Sequence, residues 1–564
     1  MEKYRWQLIV ILITGLVVGV ILVIQQGSPL SNTPTVTQPL SGGIYTEALI
    51  GNFQRLNPFL DRYNQPDQDV DRLIFSGLVK FDNSGDAQPD LAESWGISKD
   101  GSLYNFTLRP NIYWHDGQPV TASDVAFTVG LMKSENALIP ADLREFWSEI
   151  SINVLSENQL QFALPEAFAP LLDYLSFAIL PEHILSGLTL DGIIDHPYNL
   201  APVGSGPFKF DELIIKDSKI IGVVLTANET YFAGRPFLEK IVFRYYPSEN
   251  DAWVAYKSGE VDGISSISFD NLSEALADPD SNLYSAPEPL MSIVYLNLND
   301  PQASFLQKPE FRKALMQSID RQSIIDNVYN GQAIMLNGPI LPGNWAYFTD
   351  LVRVEFTPEI ARQQLIGLGY TIGDDPVYLV TEEGSPLSLE LLCPDTDLHK
   401  EVASYIVQGW THLGVKVDLV IKPYDAVISD LESRAFQAAL VDIDMSGSPD
   451  PDPYPFWAQS QVQAGQNYAQ WDNRTASEFL EQARISLDFG DRVRLYRNFQ
   501  VIFQEELPSL PLLSPVYNYL VSTKIKGISF GPFYDRNDRF FTINSWYILA
   551  EETRVDPNNV TTGE

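Results

Sequence analysis

The sequence predicts a multi-lobed, mixed α/β protein, and three observations carry that prediction. The chain has 564 residues, more than a single hydrophobic core serves. Short β-rich segments alternate with helical patterns along its length. No internal repeat of the kind that builds a solenoid or propeller interrupts them.

The first element is apolar. Gln7 to Ile24 reads QLIVILITGLVVGVILVI, with Lys3 and Arg5 before it and no further basic residue until Arg55. A run of this length, with Trp6 at the interface, approaches a bilayer span, and the one-sided positive charge places Met1 inside and the rest outside. No A-x-A-like cleavage site follows, which favours an uncleaved anchor over a removed signal. No cysteine follows to bear a lipid. Ser28 to Gly42 (SPLSNTPTVTQPLSG) has the composition of a flexible tether.

Further on, Leu103–Leu108 (LYNFTL), Leu160–Leu164 (LQFAL) and Ile241–Tyr245 (IVFRY) alternate as strands. Thr121 caps a helix, with Asp124 completing a box-like start. Phe311–Tyr329 carries helical apolar spacing with Gly331 as its stop, and Pro358–Leu368 and Leu398–Leu413 are helices ending at Gly369 and Gly414. Val415–Ile421 alternates as a strand, and Ala438–Ile443 is a further strand.

Composition narrows the function classes. At 45% hydrophobic and 12% aromatic residues the chain buries a large interior. Lys+Arg 37 against Asp+Glu 73 gives a net charge of -36. Such a surface repels phosphate backbones, so nucleic acid is not an expected partner, and cationic or zwitterionic ligands are favoured over polyanions. Cys393 is the single cysteine, which rules out an intrachain disulfide or thiolate cluster and reads as a buried structural residue. The five histidines show no zinc spacing. His115, in a Trp-x-Asp-Gly turn, reads as structural.

Leu91 to Val129 runs LAESWGISKDGSLYNFTLRPNIYWHDGQPVTASDVAFTV. Asp100-Gly101 and Asp116-Gly117 form tight turns there, flanked by the apolar anchors Trp95 and Trp114. This block resembles the signature of the oligopeptide/dipeptide/nickel family of extracytoplasmic solute-binding proteins, family 5. Further blocks resemble it in order: Val203–Phe208 (VGSGPF), Tyr231–Tyr246 (YFAGRPFLEKIVFRYY), Ala255–Asp262 (AYKSGEVD), Phe311–Gly331, and the proline loop from Asn337 to Trp345. The resemblance covers roughly residues 43–548.

The resemblance implies a three-lobed clamshell of the class II periplasmic-binding-protein type with an extra inserted domain. After an anchor (1–26) and a tether (27–42), lobe I is expected at 43–80, 203–305 and 516–550. Lobe II is inserted at 81–202, lobe III occupies 306–515, and a disordered tail follows at 551–564. Two crossovers act as a hinge, and ligand is enclosed between lobes I and III. The function implied is that of the substrate-binding component of an ABC importer, a non-enzymatic monomer outside the cytoplasm. Its partners are an oligopeptide or similar small solute, the permease subunits, and the membrane through the N-terminal helix. No cofactor or metal is expected.

In peptide-binding members of that family, an aspartate shortly before an acidic-Pro pair holds the ligand's α-amino group. The corresponding segment here is Asp444-Met445-Ser446-Gly447-Ser448-Pro449-Asp450-Pro451-Asp452, and the anchoring position falls on Gly447. Either Asp442, Asp444 or Asp450 takes over, or the ligand has no free ammonium; a desolvated carboxylate–ammonium bond would matter to affinity. Met445 and Ser446 belong to the same segment, and Trp457 is a candidate pocket wall. Tyr63 and Asn64, after Leu56-Asn57-Pro58, are candidates for pairing with an extended ligand backbone. Asp442-x-Asp444-x-Ser446-Gly447 imitates an EF-hand start, but Pro453 stands at its twelfth position, so calcium is not expected.

Two other classes stay open. No G-x-S-x-G, H-E-x-x-H or P-loop motif supports a hydrolase, although paired carboxylates for glycoside chemistry are not visible in sequence. A clamshell sensory receptor would share every block above.

Overall fold

The computed structural model describes residues 41–82, 85–135, 139, 141–531 and 533–548. The expected anchor, nearly all of the tether and the tail lie outside them.

Among the described residues the main sheet has twelve strands. Ten form a path in the order Lys416–Lys422, Ser388–Pro394, Ala438–Asp444, Leu290–Leu296, Ser509–Ser522, Gly263–Ile264, Ile44–Ile50, Lys240–Tyr246, Lys219–Ala227 and Phe208–Lys216. Ser281–Pro287 and Ala333–Met335 also pair with Ser509–Ser522. That 14-residue strand is the spine of the molecule. Its first part pairs antiparallel with Leu290–Leu296, its second with Ser281–Pro287 and Gly263–Ile264.

Packing divides where that strand changes partners. One core runs from Met291 to Leu513. A second gathers Tyr45 to Phe75, Leu180 to Phe243, Ala286, and Tyr517 to Trp546. A third, from Leu78 to Ile179, lies on a separate four-stranded sheet ordered Ala92–Ile97, Leu103–Leu108, Gln159–Ala163 and Ser151–Ser156. The chain passes between the first two cores at 287–290 and at 514–516. The earlier passage precedes the expected 305/306 boundary, because Leu290–Leu296 pairs with Ala438–Asp444 and its side chains enter the core of that half. Likewise Leu180, Leu185, Ile193 and Tyr198 pack with the second core rather than with the inserted sheet.

Close packing on the end of the Gln65–Ile74 helix explains two glycines. A Cβ on Gly204 or Gly206 would lie 2.0 Å from the carbonyl oxygen of Ile74 or 2.5 Å from that of Leu73, so only glycine lets the VGSGPF turn seat there. His115 clamps the same turn. Gly204 N–H donates to its Nδ1 at 3.2 Å, and its Nε2 lies 3.1 Å from the Gly206 carbonyl. Burial holds the imidazole neutral by lowering its pKa to about 4, which matches this donor–acceptor pattern.

Most elements form where the pattern placed them. Ala122–Met132 starts as expected, with Asp124 accepting the Thr121 N–H at 2.8 Å. The expected single helix over Phe311–Tyr329 is instead two, Pro309–Gln317 and Arg321–Asn327. Asp320 starts the second by accepting from Ser323 N–H at 3.0 Å. Arg321 is drawn into the interior, where its guanidinium serves the carbonyls of Leu336 and Val354. Cys393 is buried in its strand, and burial raises its thiol pKa to about 11, as fits an inert thiol.

Candidate functional site

The Ala438–Asp444 strand ends beside the first passage between the two large cores. Asp442 registers with Ser292 and Asp444 with Leu290, so side-chain alternation puts both carboxylates on one face. That face looks onto Glu288, which lies in the passage itself within Pro287-Glu288-Pro289. Glu288 pairs with Arg536 at 2.8 Å. Burial raises its carboxyl pKa against that arginine, with Asp442 and Asp444 pushing it further. Asp442 and Asp444 thus lie near Glu288, whose own partner is Arg536, at the junction of the two halves.

The surroundings hold this constellation in place. His399 Nε2 lies 3.1 Å from Asp442 Oδ2, and its Nδ1 is fixed 2.7 Å from Thr396 Oγ1. The Tyr424 hydroxyl accepts the Asp442 N–H at 3.2 Å. Beside it, Phe269 meets Tyr329 edge-on. The helix Phe269–Ala277 and the turn at Asn330 and Gln332 border an open groove of about 580 Å³, whose wall mixes Leu272 and Leu276 with Ser273, Asn330 and Gln332. Among the described residues no group of three His, Cys, Asp or Glu is disposed to hold a metal ion.

Past Asp444 the chain turns across the junction. Asp444 Oδ1 accepts the Ser446 N–H at 2.9 Å, and Met445 N–H donates to Pro289 O at 2.8 Å. Gly447 sits at φ 87°, donates to the Tyr534 carbonyl at 2.8 Å, and has nothing within 4 Å of where a Cβ would lie. The anchoring position is therefore an exposed, open point with carboxylates on its hinge side.

Asp442, Asp444, Met445, Ser446 and Gly447 are brought together in this way. Asp450 and Trp457 turn inward. Asp450 is buried, ion-paired with Arg492, and 3.2 Å from the Tyr496 hydroxyl. Trp457 is 2% exposed, packed against Tyr295 and Phe503. Neither faces the open point: one carboxylate is committed to an internal cation, and the ring is core. Asn64 is spent on the start of the Gln65–Ile74 helix, bonding Asn52 O and Asp67. Tyr63 is 90% exposed under the Arg62 guanidinium.

Sequence reasoning did not single out Glu288, Arg536, His399, Tyr424 or Tyr534. The one local signal was the acid bracketed by two prolines at 287–289. The others become neighbours only through the sheet and the C-terminal segment.

Comparisons with known proteins follow this geometry. Residues 86–466 match the family described as "Bacterial extracellular solute-binding proteins, family 5 Middle". The chain is 25% identical over 565 residues to the oligopeptide-binding protein AppA of Bacillus subtilis, covering 97% of this chain and 99% of that one. It is 27% identical over 497 residues to heme-binding protein A of Haemophilus influenzae, covering 84% and 86%. The solved structure of HbpA2 from Haemophilus parasuis superposes with a TM-score of 0.79 at 22% identity, over 90% of this chain and 100% of that one.

Proposed function

The chain belongs to the bacterial extracellular solute-binding proteins, family 5, and from that premise we propose how it takes its ligand. It is the substrate-binding component of an ABC transporter, with the α/β clamshell fold of the periplasmic binding proteins. It captures a small solute outside the cytoplasm and delivers it to the membrane permease. The family binds solutes and does not transform them.

The ligand is an oligopeptide or a similar small solute with a free amine. The observation that carries this reading is the cluster of carboxylates at the junction, where Asp442 and Asp444 lie near Glu288, with Arg536 paired to Glu288 and His399 beside Asp442. An ammonium group arriving there gains charge-assisted bonds to these carboxylates. The open backbone at Gly447 leaves room for the ligand's first residue. The relative from Bacillus subtilis, named for oligopeptide binding, supports the same class.

Three of the cores correspond to three lobes, with the passages at 287–290 and 514–516 as the hinge, and a smaller fourth core of Ala252 to Ala275 meets the Ile44–Ile50 strand at Ala48. Closure follows ligand because only the closed form brings both halves against it. The apolar run Gln7–Ile24 tethers the monomer to the membrane.

A thermal-shift screen of unmodified peptides from two to nine residues, nickel–histidine complexes, haem and oligosaccharides tests this reading. A ligand present at about 100 times its Kd adds about 2.7 kcal/mol to stability. If peptides of every length fail while another class stabilises the protein, the peptide assignment is wrong.

A further inference from the structure

The segment that carries Gly447 is held from three sides, and one of them is the inserted lobe. Asp173 stands on the short helix Ala169–Leu175, whose Leu171 and Leu175 are buried in the core of the four-stranded sheet. Its carboxylate projects the other way. Asp173 Oδ1 accepts the backbone N–H of Asp450 at 2.9 Å and lies 3.1 Å from the Ser448 hydroxyl. Arg484 adds a second bridge. Its guanidinium sits 5.1 Å from the ring centroid of Phe168 in the inserted lobe and 4.3 Å from that of Tyr454, and it pairs with Asp452 at 3.1 Å.

The inserted lobe shares packing with the body that contains Ile44–Ile50. Phe59 and Val203 pack against both cores, and His115 bonds the Gly204–Gly206 turn. The 446–452 segment belongs to the opposite body, which carries the Arg492 that pairs with Asp450. The Asp173 contacts therefore cross the interface that opens when the two bodies swing about 287–290 and 514–516.

We propose that Asp173 is a positioning residue for ligand capture: it latches the 446–450 segment onto the inserted lobe, so that this lobe fixes the ligand-binding turn and stabilises the closed form. The proposal rests on the reading that the two bodies hinge around a solute. Its chemistry also couples closure to a proton. The closed interface buries Asp173 beside a second carboxylate, Asp450, and these two causes raise its pKa to about 7. In the open form the carboxyl is solvated and ionises in the ordinary range. Closure thus takes up a proton at Asp173, and the latch is strongest below neutral pH and weakens as pH rises through about 7. The charged and titratable groups facing this site are Asp450 and Asp452 on the segment, Arg484, Arg492 and Tyr496 on the two helices behind it, and Tyr534 from the C-terminal segment.

Spin labels at exposed Glu157→Cys and Asp418→Cys, with Cys393 buried and unreactive, report the distance between the inserted lobe and the opposite body in the full chain. Measurements at about pH 5.5 and about pH 8 bracket the titration. The ligand-free parent is expected to show more of the short-distance population at the lower pH. Asp173→Ala and Ser448→Ala lower the ratio of short to long distances, by about tenfold for the alanine at Asp173. Asp173→Asn keeps an acceptor in neutral form, so it retains the short distance and loses the pH dependence. A contact that served stability alone would not separate Asn from Ala in this way. Distributions unchanged by Asp173→Ala and by Ser448→Ala at both pH values overturn the latch. The unmodified peptide pool is then added to the same samples. Closure of the parent by peptide, with no effect of either substitution, rejects the latch and leaves the binding function standing. A parent that no peptide closes rejects the binding reading instead.

Discussion

Replacing Arg539 by methionine should destabilise the protein by about 3–5 kcal/mol near neutral pH. The Arg539 side chain is 1% exposed and lies between Glu47 and Asp69, themselves 0% and 2% exposed. Its Nε and Nη2 donate to Glu47 Oε1 at 3.0 and 2.7 Å, and its Nη1 to Asp69 Oδ1 at 2.7 Å. Methionine fills similar volume but leaves two carboxylates buried without their cation. The Tyr45 and Tyr519 hydroxyls, 2.6 and 2.8 Å from Glu47 Oε2, soften that loss without replacing the charge. Burial already raises the Glu47 pKa, with Arg539 opposing it. Removing the arginine raises it further, so the variant can neutralise Glu47 by taking up a proton. The sign follows: with a folded pKa above the unfolded one, the deficit is smaller at low pH and grows as pH rises through the folded value. Denaturant unfolding at about pH 5 and about pH 8, followed by near-ultraviolet dichroism, measures both. Adding Glu47→Gln should recover part of the loss. A deficit below about 1 kcal/mol, or one equal at both pH values, would refute the view that this charge holds the segments together.

Other outcomes can be checked in the same way. Burial raises Asp61 and Asp535 to about 7 and Asp67 to about 6, and raises Asp71 as well. Their stabilisation is full below the unfolded carboxylate range and is lost as pH climbs through about 6 to 7, so the urea midpoint should be higher at pH 5 than at pH 8, and Asp71→Asn should narrow that gap. Asp442→Asn with Asp444→Asn should weaken an amine-terminated peptide at least about tenfold by calorimetry while sparing its acetylated form; equal losses for both would remove the amine from the site. Gly447→Ala should cost about 1–2 kcal/mol in a thermal melt, from positive φ alone, since a Cβ there meets open space.

Local pattern was a good guide wherever one element decides its own form. The strands at 103–108 and 240–246 and the helix opened by Thr121 appear as spaced. It failed at Ser318–Asp320, where apolar spacing ran on but a capping aspartate and a buried arginine split the helix. Of the candidate site, the sequence shows Asp442 to Gly447 as neighbours because one strand and its turn carry them. Asp450 and Trp457, candidates just beyond that turn, point inward, toward Arg492 and Phe503, helical residues some forty positions further on. No period in the sequence distinguishes an aspartate aimed at solvent from one aimed at such a partner.

The sequence by itself determined the α/β alternation, the net charge of -36, the single inert cysteine and the ordered blocks that identify the family. Those depend on composition and on neighbours within one element. Tertiary structure alone decided that Glu47, Asp69 and Arg539 form one buried cluster, that Glu288 meets Arg536, and that Asp173 reaches the Gly447 segment. The physical reason is that the main sheet joins strands far apart in the chain, from Ile44–Ile50 to Ser509–Ser522, so its decisive polar contacts link residues hundreds of positions apart. Such contacts are selected by sheet register and burial, which no local spacing records.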